Sequence, residues 1–259
     1  MLVMLPPSEG KTPAATGAPV DLDALAHPDL TPLRAQVLDA LVEVSARADA
    51  PATLGVSPGL AAEVARNTTL REAPAAPAAR VYTGVLYAAA GLADLTPAAR
   101  TRAAAHVRIV SGLWGVVTPT DRIPAYRLSM GTDLPGVGPL AAAWRGPLGD
   151  TLVAEAAGAL VVDCRSATYL AAWTPPADAD WVTVRVLREV DGRRSVVSHH
   201  AKHTRGVLTR HLLTRRGRAP RDADELAHAA SALVGDALLA VELGAPPRRG
   251  ARTLSLVVA

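Results

Sequence analysis

The chain has 259 residues, 49 % of them hydrophobic, and 27 Lys and Arg against 24 Asp and Glu give a net charge of +3. A single domain of that length buries roughly 70–75 % of its unfolded surface, and no apolar run approaches the ~20 residues of a bilayer span. The lone Cys164 excludes an intramolecular disulfide, a CxxC redox pair and a two-cysteine peroxidase, and it fits a reducing, cytoplasmic compartment.

The opening Met1-Leu-Val-Met-Leu-Pro-Pro carries no basic leader and reads as a first strand rather than a signal peptide. The loop Pro6-Pro-Ser-Glu-Gly-Lys-Thr-Pro13 follows, with irregular chain to about 32. Apolar residues at Leu33, Val37, Leu38, Leu41, Val42 and Val44 predict a helix over 33–47. Ser57-Pro58 supplies an N-cap and a first-turn proline for a helix over 57–66. The Pro- and Ala-rich run 72–79 is the best linker candidate. Helices over 82–92 and 96–108 come next, the second capped by Thr96-Pro97, and 107–117 holds a compact Ser111-Gly-Leu-Trp-Gly115 turn. An Ala-rich helix over 139–157 should break at Gly146-Pro147. Leu160-Val-Val-Asp163 reads as a buried strand before a helix near 166–173. Asp191-Gly192, between β-rich runs over 181–187 and 193–199, is the strongest hairpin signal. Helices over 201–215 and 222–234 and a strand over 252–258 complete the chain. With no repeat and no regular βαβ rhythm, the fold class is mixed α/β, one domain over 1–259 around a mixed sheet.

Of the 27 basic residues only Lys11 and Lys202 are lysine, Phe is absent, Asn67 is the sole asparagine, and Ile109 and Ile123 are the only isoleucines. Abundant Ala, Arg, Gly and Pro match a G/C-rich coding sequence. Where arginine would serve, this chain has arginine, so the two lysines mark places where a compact, deprotonatable ammonium is useful. Chance survival of two lysines is the rival reading.

Gly10-Lys11-Thr12 after a strand raises the phosphate-binding P-loop, but Leu5 stands where that motif needs its first glycine, and Pro13 follows where a helix should start. The Ser8–Lys11 loop can still bind an anion at a strand's carboxyl end. In Ser198-His-His-Ala-Lys-His-Thr-Arg-Gly206, helical spacing puts Lys202, Arg205, Thr209 and Arg216 on one face beside an apolar stripe of Ala201, Leu208 and Leu212. His199 and His203 at i, i+4 raise zinc, yet no cysteine or carboxylate stands near them as a third ligand, so no metal is expected. Leu134-Pro-Gly-Val-Gly-Pro139, with Gly136 and Gly138 before a helix, resembles the hairpin of helix-hairpin-helix modules, whose glycines let backbone N–H groups approach a DNA phosphate.

The block Val110-Ser-Gly-Leu-Trp-Gly-Val-Val-Thr-Pro-Thr-Asp121, followed by Ala125-Tyr-Arg-Leu-Ser-Met-Gly131, is similar to the signature of the YaaA peroxide-stress family. So are Val81-Tyr-Thr-Gly84, Ser166 with Tyr169, and Ala201-Lys-His-Thr-Arg-Gly206. Ser8-Glu-Gly-Lys-Thr12 stands where that family carries Ser-Pro-Ala-Lys-Thr. The resemblance runs in order from residue 1 to about 215, takes in both lysines, and fades over the last forty residues. It implies a cytoplasmic protein that limits iron-driven oxidative damage, with a mixed α/β fold, a helix-hairpin-helix element and a basic cleft that binds DNA. The net charge is low for a dedicated DNA binder, whose electrostatic footprint is usually plainer; binding without sequence specificity is what the residues support. On that reading Lys11, Arg127, Lys202 and Arg205 contact phosphate, Ser8 and Ser166 line the site, and Tyr82, Tyr126 or Tyr169 stacks on a base. The alternative is an enzyme acting on a small nucleobase-like or phosphorylated molecule through Ser8, Lys11, Tyr82 and Lys202, because a nucleophile or base must shed a proton and arginine does not. No cofactor is expected, and a partner-binding protein without a ligand is the third reading.

Overall fold

Leu2–Leu5 (β1) is apolar at every position and buried at every position, as a strand in the middle of a parallel sheet must be. In the computed structural model, which describes residues 1–197 and 199–259 except the side chains of His199 and His200, it lies inside an eight-stranded sheet. The other strands are β2 (Val107–Ser111), β3 (Gly115–Val117), β4 (Leu160–Asp163), β5 (Asp180–Val190), β6 (Arg193–Val196), β7 (Ala240–Leu243) and β8 (Arg252–Val258). Their order is β7-β8-β5-β4-β1-β2-β3, with β6 paired to the far end of β5. The five inner strands are parallel, Val3 sitting between Val107 and Val162, and the antiparallel members β3, β6 and β7 lie at the margins. The carboxyl ends of β1 and β4 therefore open side by side, the usual place for a ligand in such a sheet.

The main helices are α1 (Thr31–Ser45), α2 (Val85–Ala90), α3 (Pro97–His106), α4 (Leu140–Ala156), α5 (His199–Thr214) and α6 (Ala223–Ser231). Thr96 caps α3 through its hydroxyl, as expected, and Asp222 caps α6 through its carboxylate. Helix α5 buries the expected stripe of Ala201, Leu208 and Leu212. It packs on α2 at Gly206, where a Cβ would collide with the Leu86 carbonyl oxygen. The β5–β6 connection is the expected Asp191-Gly192 turn, both residues at positive φ (50° and 71°). One continuous apolar cluster runs from Leu2 to Leu256, and among the described residues no helix is long and apolar enough to cross a membrane.

Several expectations need correction. Gly146-Pro147 does not break α4, because Leu140, Trp144, Leu148, Leu152 and Ala156 form a fully buried i, i+4 stripe that holds the helix through the proline. The region 57–66 forms short 3₁₀ and α turns rather than one helix, since Val64 is its only buried residue and Ser57 makes no side-chain cap. The run 72–79 is no linker: Ala75 and Ala78 are fully buried, and Ala78 N–H donates to Asp121 O at 2.8 Å. Helix α2 starts at Val85, not Tyr82, because Tyr82 pairs with Lys11 in a β-bridge. The helix near 166–173 shrinks to Ala167–Leu170, and Arg216 lies beyond the end of α5. The segment 124–129 before the Gly136/Gly138 turn is not helical. That turn joins Asp133–Leu134 to Gly138–Pro139, and α4 follows, so a helix flanks this hairpin on its carboxyl side alone.

Candidate functional site

Two motifs widely separated in sequence close the end of β1. Thr12 N–H donates to Val81 O at 2.9 Å and Thr83 N–H to Gly10 O at 3.2 Å, while Gly84 N–H donates to Ser8 Oγ at 2.7 Å. A Cβ at Gly84 would collide with that hydroxyl, which explains the glycine. Val81-Tyr-Thr-Gly84 is thus the clamp that holds the Ser8–Thr12 loop, and Tyr87 adds a 2.7 Å bond from its hydroxyl to Pro6 O.

The clamp sets Lys11 over a buried aromatic floor. Its Nζ donates to Ser8 O at 2.7 Å and stands 4.2 Å from the Tyr126 ring centroid and 5.6 Å from that of Tyr82. Among the described residues no carboxylate forms an ion pair with it. Burial pushes its pKa down from 10.5 to about 7, and the Arg127 charge adds to that against a smaller opposing pull from Glu63 and Glu9. Beneath it, Tyr82 and Tyr126 share a 3.0 Å hydroxyl contact, and Tyr126 reaches Ser111 Oγ at 2.6 Å. Ser111 Oγ also accepts from the Leu113 and Trp114 N–H groups, fixing the β2–β3 turn. Burial drives the phenols of Tyr82 and Tyr126 far up, so both stay neutral.

Lys11 lines a cavity of about 320 Å³ together with Ser8, Glu9, Arg127, Ser129, Ser166, Thr168, Tyr169, Lys202 and Arg205, with Leu54, Val56, Leu86 and Leu128 as apolar wall. Arg127 is held through its backbone: its N–H donates to Asn67 Oδ1 at 2.8 Å and its carbonyl accepts from Asn67 Nδ2 at 2.9 Å. Its guanidinium meets Glu63 at 3.5 Å. Lys202 meets Glu9 at 3.5 Å with both side chains more than half exposed, a loose pair of little worth to stability. After β4, Arg165 grips Asp163 with bonds of 2.9 and 2.7 Å, packs 5.2 Å from the Trp173 ring, and donates to Tyr169 O at 3.3 Å. That fully buried pair orients the turn bearing Ser166, Thr168 and Tyr169.

The structure thus gathers Ser8, Lys11, Arg127, Ser166, Tyr169, Lys202 and Arg205 around one cavity. It revises the role of others. Arg205 turns its guanidinium to the Val184 carbonyl (3.1 and 2.7 Å), and Thr209 is fully buried, so α5 offers Lys202 rather than a basic row. Tyr82 and Tyr126 are buried to within 2 % and present no free face for a base. Gly136 and Gly138 lie elsewhere, beside α1, where Gln36 bonds the Gly136 carbonyl. Cys164 is fully buried and burial pushes its thiol up to about 12, so it is inert as a nucleophile. The side chain of His199 lies outside the described residues, and among those described no group of three or more His, Cys, Asp or Glu side chains gathers as metal ligands. Sequence reasoning missed Asn67, Glu63, Ser129 and Thr168; the rarity of asparagine was the one available signal for Asn67.

A sequence profile described as Peroxide stress protein YaaA matches residues 1–231. The chain belongs to the YaaA peroxide-stress family. A UPF0246 protein of Streptomyces coelicolor is 48 % identical over 254 residues, covering 96 % of this chain and 95 % of its own. One from Corynebacterium efficiens is 42 % identical over 261 residues and covers all of both chains, and one from Corynebacterium glutamicum is 41 % identical over 217 residues, 82 % and 84 % of the two. In YaaA terms the signature residues around Lys11 divide cleanly: Gly84, Ser111, Tyr126 and Gly206 build the frame, and Lys11, Arg127, Ser166 and Lys202 face the cavity.

Proposed function

We propose that this YaaA protein serves a cytoplasmic peroxide-stress response as a single-domain enzyme. It holds a phosphate-bearing, nucleotide-like small molecule in the cavity at the ends of β1 and β4 and acts on it through Lys11. One observation carries the reading: a recessed amine, using one of its three donors, lines a cavity of about 320 Å³ that also holds Arg127 and Lys202. That volume lies in the range of small-molecule sites. The pKa near 7 suits a general base or nucleophile at neutral pH. Titration calorimetry with a mononucleotide series tests it. Binding that weakens about tenfold or more in Lys11→Ala and Arg127→Ala supports the reading. Binding of long duplex alone, with no mononucleotide bound, contradicts it.

A second reading, sequence-independent binding of a nucleic-acid backbone, is favoured by one feature. A further cavity of about 300 Å³ shares Pro6–Glu9 and Lys202 with the first, so a strand could cross the Glu9–Lys202 pair. On that reading Lys202→Ala weakens duplex binding equally across sequences and flattens its salt dependence by about one phosphate contact. An unchanged salt slope rejects it.

A further inference from the structure

Resting on the cavity reading above, we infer that the ligand is a phosphorylated sugar in its open-chain aldehyde form, captured by Lys11 as an imine. Four observations lead there. First, phosphate alone would be served by arginine, which this chain uses for all but two of its 27 basic residues, whereas an imine requires an amine. Second, Lys11 Nζ spends one hydrogen bond on Ser8 O, has the Tyr126 ring at 4.2 Å and, among the described residues, no ion-pair partner, which leaves its lone pair available once the proton is lost. Third, the cavity is rich in hydroxyls, and among its lining residues Tyr169 alone is aromatic. Ser166 and Thr168 have no protein hydrogen bond from their side chains among the described residues, and Tyr82 and Tyr126 are sealed in the core, so the site suits a polyol better than a nucleobase. Fourth, Arg127 and Lys202 are each held by an acid at 3.5 Å, loosely enough for a phosphate to displace it.

The chemistry balances without an oxidant. The Lys11 amine adds to the aldehyde carbon, a C–N bond forms, the two amine protons are lost overall, and the carbonyl oxygen leaves as water. The same aldehyde could come as a free sugar phosphate or as the ring-opened sugar of an abasic nucleotide within a strand.

The test uses the full chain with sodium cyanoborohydride and either ribose 5-phosphate or an oligonucleotide carrying one abasic site, followed by peptide mapping. The chain holds three amines, Lys11, Lys202 and the Met1 terminus, so each unreacted pair is an internal control. Reduction should fix one adduct at Lys11 at least about tenfold faster than at the other two amines, and the faster probe identifies the source. Lys11→Arg should abolish that adduct, and the parent should bind ribitol 5-phosphate, which has no carbonyl, without forming one. Equal labelling of the three amines, or none, with ribitol 5-phosphate still bound, overturns the imine and leaves the cavity reading standing. Failure to bind ribitol 5-phosphate, ribose 5-phosphate and mononucleotides alike, with no adduct from the abasic oligonucleotide, overturns both.

Discussion

Arg34 and Lys11 both sit deep in this molecule, and they differ in how much of their hydrogen-bonding capacity the backbone uses. Arg34 is fully buried and donates to four carbonyls: Nε to Trp114 O and Nη1 to His27 O at 3.0 Å, Nη2 to Ala26 O and Val116 O at 2.8 Å. Burial lowers its pKa to about 10, with Asp121 and Asp29 pulling the other way, so it stays charged at neutral pH. Lys11 gives one bond to one carbonyl, and its pKa falls to about 7. A guanidinium with nearly every donor satisfied ties α1 to the β2–β3 turn and is structural. An ammonium with donors to spare beside a cavity is a chemical group. What separates scaffold from site here is therefore the count of satisfied donors, since both cations have lost water.

Breaking the scaffold side should have the larger effect. Arg34→Leu strands four carbonyls and should cost about 3–5 kcal/mol in urea unfolding; a loss below about 1 kcal/mol would mean those bonds do not hold the turn. Removing the other cation should act through pH. A lysine whose folded pKa lies below its unfolded value destabilises the fold while protonated, so stability should rise with pH between about 7 and 10.5. Lys11→Met should lack that rise, which amounts to at most about 1.4 kcal/mol per pH unit, and its advantage over the parent should be greatest below pH 7 and shrink above it. Parallel stability profiles for the two proteins would remove the depressed lysine. A smaller effect should follow Asn67→Ala, which frees the Arg127 backbone: about 1–2 kcal/mol of stability, with ligand affinity falling several-fold while Lys11 still titrates near 7. Unchanged affinity would show that Arg127 needs no such pin.

Where a local signal agreed with the packing around it, its reading matched the structure, whereas Ser57 makes no side-chain cap and Gly146-Pro147 does not break α4. Thr96 as a cap, Asp191-Gly192 as a turn, and the apolar Leu2–Leu5 run all depend on residues within a few positions of one another. Lys11 and Lys202 stood out by composition and meet at one cavity. What stayed illegible depends on the facing element. A helical wheel puts Arg205 on a basic face but does not show the Val184 carbonyl opposite it. Tyr82 and Tyr126 look available for stacking until their hydroxyls are seen closing on each other and on Ser111. Strand β7 spans four partly exposed residues, too short a pattern to register, and exists by pairing with β8.

The central claim is that Lys11 is an amine poised to lose its proton near neutral pH, and a lysine-selective NMR titration tests it most directly. With ¹³C-lysine in a chain that has two lysines, the side-chain Cε signals are two, and the one missing from Lys11→Arg is assigned without ambiguity. The account predicts that this signal titrates with a midpoint near 7. A midpoint in the ordinary lysine range, about 10.4, would contradict it.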